Sequence, residues 1–176
     1  MLQMSVKTEL TDLTNVVDKL ISENFVDDSH LNIIGVSQGG VVASLYATDN
    51  PEKVHKLALI FPAYVLFDDV KETYQSLGSP AFEQLPDSLI HHNASLGKLY
   101  LTDALDINIK DVQSKITVPT LIVHGTNDTT APYQYSVDAS QRIPNAKLVT
   151  VEGGRHRIDD NFSKIAIPAT QNFLAE

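Results

Sequence analysis

The 176-residue chain contains no cysteine, which rules out disulfide cross-links and thiolate chemistry and leaves the redox compartment open. Positive charge is scarce. Lys and Arg number 13 against 22 Asp and Glu, a formal net charge of −9, and the basic residues are scattered. An acidic surface of this kind repels phosphate backbones and anionic lipid, so neither nucleic acid nor a membrane surface is expected as a partner. Long apolar runs are absent, none approaching the roughly 20 residues a membrane span needs. The opening Met1-Leu2-Gln3-Met4-Ser5-Val6-Lys7 has no apolar stretch of the secretory type, and a cytoplasmic location is the expectation. Internal repeats, low-complexity tracts and Pro/Gly-rich linkers are lacking too. The chain therefore reads as one domain over residues 1–176, and a domain of this size buries roughly 70% of its unfolded-chain surface.

What is present is an alternation of helical and strand patterns. From Glu9 to Asn24, Leu10, Leu13, Val16, Val17, Leu20 and Ile21 recur at helical spacing. Leu31 to Gly35, Leu57 to Phe61, Thr120 to His124 and Lys147 to Val151 are short apolar runs that read as buried strands. Helical spacing returns at Val41, Val42, Leu45 and Tyr46, and again from Tyr133 to Arg142; Pro51 and Pro144 close these segments. The tail from Ile158 is helical, with a kink or restart expected at Pro168. Continuous apolar strands alternating with helices predict a parallel sheet of about four strands covered on both faces. Residues 63–115 break the rhythm with Pro80, Pro86 and a His91-His92 pair, as a cap inserted between two core strands does.

The chemistry concentrates at strand ends. Gly35-Val36-Ser37-Gln38-Gly39-Gly40 lies between a buried strand and an amphipathic helix, the context in which G-x-S-x-G forms a nucleophile elbow. The serine is forced into a strained turn, so the residues two before and two after it need to be nearly without side chains. Gly40 gives the helix room against the sheet. A serine hydroxyl is a weak nucleophile until a base takes its proton, and the base needs a third group to orient it. Asp128 follows the third strand and His156 the fourth, in the order Ser, Asp, His. As candidate catalytic residues, Ser37, Asp128 and His156 all project from C-terminal strand ends on one edge of the sheet. Asp128 alone would pass as a turn residue and His156 as a loop histidine; following consecutive strands behind an elbow, they form a set. His30, His55, His91 and His92 lack ligand-like spacing and no H-E-x-x-H motif occurs, so no metal and no cofactor are expected. His124, ending a strand, reads as structural.

With these residues in place, the chain resembles one branch of the α/β-hydrolase superfamily, the bacterial cinnamoyl or feruloyl esterases. Their serine elbow has the form G-x-S-Q-G-G-V-V-A-S, which here is Gly35 through Ser44. Further matches are Pro62-Ala63, Pro119 through Asp128, and Glu152-Gly153-Gly154-Arg155-His156. The resemblance implies hydrolysis of small-molecule esters through an acyl-enzyme, without cofactor, with the Gln38 backbone N–H as one oxyanion donor. It also implies that cap residues contact hydroxyls of an aromatic acyl group; the matching positions are Asp69, Tyr100 and, less closely, Gln75. Val36 stands where the family commonly has His.

A full member carries strands before the elbow, and among them a loop that supplies a second oxyanion N–H. Here 36 residues precede Ser37. The expectation is a partial α/β-hydrolase fold lacking those N-terminal strands, with the first strand presenting a bare edge. Such an edge would be covered by a missing N-terminal segment or in a homo-oligomer. Two alternatives to ester hydrolysis stand beside it: a truncated, catalytically silent chain acting as an oligomerising or binding module, and an acylglycerol lipase or serine peptidase.

Overall fold

The computed structural model describes residues 2–28, 30–91 and 94–176; His92 and the side chain of His91 lie outside the described residues. Helix α1 (Val6–Ser22) is opened by a capping box in which Ser5 and Thr8 each bond the other's backbone N–H. Strand β1 (Leu31–Val36) leads through Ser37 into α2 (Gln38–Asp49), and β2 (Val54–Ile60) follows. Next come α3 (Leu66–Ser76), a single 3₁₀ turn (Phe82–Gln84), an antiparallel hairpin β3 (Ser88–His91) and β4 (Ala94–Gly97), α4 (Lys98–Leu105) and α5 (Ile109–Lys115). The chain ends with β5 (Thr120–Gly125), α6 (Gln134–Arg142), β6 (Ala146–Val151) and α7 (Asp160–Ala175).

Four strands form one parallel sheet in the order β1-β2-β5-β6. Alternate residues of β2 and β5 serve two separate cores, as the two-residue period of a strand requires. Leu57, Leu59 and Ile122 face a large cluster shared with α1, α2 and α6 and with the segment between β2 and β5. Ile60, Leu121 and Val123 face a smaller one built on Phe162 and Ala166 of α7. Helix α2 is buried from Gly40 to Ala47 and is the central helix of the larger side.

Three expectations are corrected. First, α7 runs unbroken through Pro168. Proline removes the N–H that would bond the Lys164 carbonyl, but this stretch is exposed, so water can take the freed acceptor. Second, β2 begins at Val54, earlier than its apolar run. Lys56 hides the start because a charged residue is not expected inside. Its side chain is buried all the same, and Nζ donates to the carbonyl of Phe173 at 2.8 Å, in the last turn of α7. Third, β1 is covered on one face only. Ile33 is buried, whereas Ile34 and Val36 are 53% and 40% exposed, because α7 packs on β2, β5 and β6 and stops short of the edge strand.

Candidate active site

The turn from β1 into α2 sets Ser37 at φ 53°, ψ −123°, a backbone that non-glycine residues hold only when the surroundings impose it. The surroundings here are backbone hydrogen bonds to the end of β2, to the loop after it and to the first turn of α2. Ser37 N–H donates to the Ile60 carbonyl at 3.0 Å, and the Ser37 carbonyl accepts from Gly40 and Ala63 N–H at 2.9 and 3.0 Å. Gly35 is required, since a Cβ there would lie 2.5 Å from the Gly39 carbonyl oxygen. Gly40 is required as well, with Pro62 Cβ 2.9 Å from the corresponding point. Gly39 departs from the sequence-based expectation. A Cβ on it meets nothing within 4 Å among the described residues, because this face of the turn is open to solvent.

The structure brings Ser37, His156 and Asp128 together across 119 and 28 residues of chain. Ser37 Oγ lies 2.9 Å from His156 Nε2, and His156 Nδ1 lies 2.7 Å from Asp128 Oδ2. An ionised carboxylate only accepts, so Nδ1 carries the proton and Nε2 is left as the acceptor for the serine hydroxyl. Asp128 is buried, and its other oxygen accepts from the Thr130 and Ala131 N–H groups at 2.9 and 2.8 Å. Phe61, itself at a positive φ of 35°, supports the His156 ring at 4.5 Å between centroids and is backed by Phe162 at 5.1 Å.

One feature was not legible as part of the site. His124 Nε2 lies 3.1 Å from Asp128 Oδ2, the oxygen that His156 uses, and 2.8 Å from the Ala131 carbonyl. Its Nδ1 lies 2.6 Å from Ser136 Oγ. The signal in the sequence is a histidine at the end of one strand, four residues before an acid in the loop that follows it.

Gln38 opens α2, so its N–H has no carbonyl four residues back within the helix. Its side chain is held from two sides: Nε2 donates to Glu9 of α1 at 2.6 Å, and Oε1 accepts from the Tyr100 hydroxyl of α4 at 3.1 Å. Tyr100 is buried. Burial raises its phenol above the ordinary range, and the negative charges of Glu9 and Asp69 push it further the same way. Asp69 is thus electrostatically coupled to Tyr100 across the α3–α4 packing. Gln75 is exposed in the last turn of α3, outside this chain of contacts.

A parallel sheet carrying a strained serine turn after one strand, with an acid and a histidine after later strands, defines an α/β hydrolase. The chain belongs to the prolyl oligopeptidase family, whose sequence model matches residues 4–176. It is similar to Est1E from Butyrivibrio proteoclasticus, with 30% identity and a TM-score of 0.83 over 98% of this chain and 72% of that one. A structure of Est1E with ferulic acid bound matches at 28% identity and TM-score 0.82, over 98% and 69%. A poly(3-hydroxyalkanoate) depolymerase from Ectopseudomonas oleovorans is 26% identical over 87% of this chain. The chain spans 64% of the length of that curated relative. Among the described residues, no helix is long and apolar enough to cross a membrane.

Proposed function

We propose that this chain is the triad-bearing part of a serine esterase that cleaves small carboxylic esters through an acyl-enzyme. The observation that carries the reading is the continuous hydrogen-bonded line from Ser37 Oγ through His156 to Asp128. In this mechanism Ser37 Oγ bonds to the acyl carbon while His156 Nε2 takes its proton. The developing imidazolium is held by Asp128. The tetrahedral oxyanion sits at the α2 N-terminus, where the Gln38 N–H points and the helix dipole favours negative charge. Collapse expels the alcohol, which takes the proton from His156. Water, activated by the same imidazole, then releases the acid and restores Ser37.

Residues 63–115 serve as the cap in this reading, and Tyr100 and Asp69 contact hydroxyls of an aromatic acyl group. The likeness to the ferulate-binding Est1E supports this substrate class. A fluorophosphonate probe should label the chain and fail to label Ser37→Ala. Hydrolysis of methyl ferulate, compared with p-nitrophenyl acetate, a monoacylglycerol, a hydroxyalkanoate oligomer and a short peptide, tests the substrate class. A preference for the peptide would overturn the esterase assignment. A second reading, that of a silent assembly module, draws on the half-open β1 edge. It predicts no turnover of any of these and an oligomer in size-exclusion chromatography.

A further inference from the structure

We propose that His124 is a positioning residue of the hydrolytic site, acting on Asp128 from the side opposite His156. The inference rests on the reading of Ser37, His156 and Asp128 as that site. The Ala131 carbonyl can only accept, and it lies 2.8 Å from His124 Nε2; Nε2 therefore carries a proton. That same N–H also faces Asp128 Oδ2 at 3.1 Å. Nδ1 is then a bare lone pair, and the Ser136 hydroxyl donates to it at 2.6 Å. Ser136 and Ala131 between them fix one neutral tautomer, the one that presents a donor to the carboxylate.

The consequence is a fully occupied acid. Asp128 receives two backbone N–H groups on Oδ1 and two imidazole N–H groups on Oδ2. The backbone pair fixes the carboxylate plane, and His124 shares the oxygen that orients His156. A hydrogen bond to the ionised form stabilises it and makes it a weaker attractor of a neighbouring proton. His124 thereby tempers the hold of Asp128 on protonated His156, which keeps the base free to accept from Ser37. The groups around His124 are Asp128 and Ala131 in the loop after β5, Tyr133 and Ser136 at the start of α6, His156 after β6 and Phe61 after β2. Tyr133 meets it edge-on at 5.8 Å. Around His156 stand Ser37, Phe61 and Asp128, with Arg155 and Arg157 beside it in sequence and Arg157 paired to Asp159. Burial holds the His124 imidazole below the ordinary histidine range despite the nearby carboxylate, which favours its neutral, N–H-donating form.

The test is the protonation of His156 followed by NMR in the whole chain, its ring signal assigned by loss in His156→Gln. Replacing the donor in His124→Leu should move the His156 midpoint upward by about half a pH unit, or roughly threefold in proton affinity. His124→Gln, which retains an N–H, and Ser136→Ala, which removes the donor to Nδ1 while the Ala131 carbonyl still holds the proton on Nε2, should move it by less in the same direction. An unmoved midpoint in the folded variants, even with a lowered melting temperature, overturns the proposal. Should His124→Leu fail to fold, His124→Phe decides, because it fills the volume of the ring without an N–H. The titration needs no substrate. Failure to hydrolyse any ester would count against the proposed function alone, and an unmoved midpoint in an active enzyme against the positioning role alone.

Discussion

Gly125 and Gly154 pack backbone against backbone where β5 and β6 give way to the loops carrying Asp128 and His156. A Cβ on Gly125 would overlap the Gly154 carbonyl group and stand 2.7 Å from its Cα. The Asn127 N–H also donates to the Gly154 carbonyl at 2.9 Å. The two loops are therefore registered by main-chain contact before any side chain of the site is placed.

Gly125→Ala should push these loops apart. Overpacking of this kind costs about 1–3 kcal/mol, visible as a lower midpoint in urea. Because the Asp128–His156 distance is set by the same contact, hydrolysis should fall more than stability does. A variant with unchanged midpoint and turnover would remove Gly125 from the account.

The two glycines after Ser37 should respond in opposite ways to alanine. Gly39→Ala enters open space in a helix and should be neutral or stabilising by about 0.5–1 kcal/mol. Gly40→Ala drives a methyl into Pro62 and should destabilise the chain and disturb the Ser37 turn. Thermal melts and probe labelling of both variants make the comparison.

Tyr46 is fully buried, and its hydroxyl has no hydrogen-bond partner among the described residues. An unsatisfied buried donor costs about 1–3 kcal/mol, so Tyr46→Phe should raise the melting temperature. A fall would mean that the hydroxyl is partnered in solution.

Acid should destabilise the fold through His124. Burial lowers its pKa from the ordinary 6.5, so below that value the unfolded chain binds a proton that the native state resists. The contribution is complete above about pH 6.5 and is lost as pH falls toward the depressed folded value. His124→Gln, lacking this titration, should show a flatter decline in stability between pH 7 and pH 5 on urea unfolding.

Tyr100→Phe removes the hydroxyl that donates to Gln38. If the phenol also recognises the acyl group, as proposed, KM for methyl ferulate should rise several-fold while p-nitrophenyl acetate, which lacks the aromatic acyl group, is affected less. A uniform fall in kcat for both would instead assign Tyr100 to holding Gln38.

The residue order by itself determined the alternation that builds a parallel sheet, and the glycine before the serine that its turn requires. It also set the placement of Asp128 and His156 after successive strands, because periodicity and steric freedom are local properties of the chain. Whether Gly39 or Gly40 is crowded, that Pro168 leaves α7 intact, that Lys56 reaches the end of α7, and that Ile34 and Val36 stay open were decided by packing between distant segments. So was the second histidine on Asp128. His124 looked like one more strand residue until the loop after β5 folded back on it, since a hydrogen bond between side chains depends on where the backbone turns and not on the spacing of residues alone.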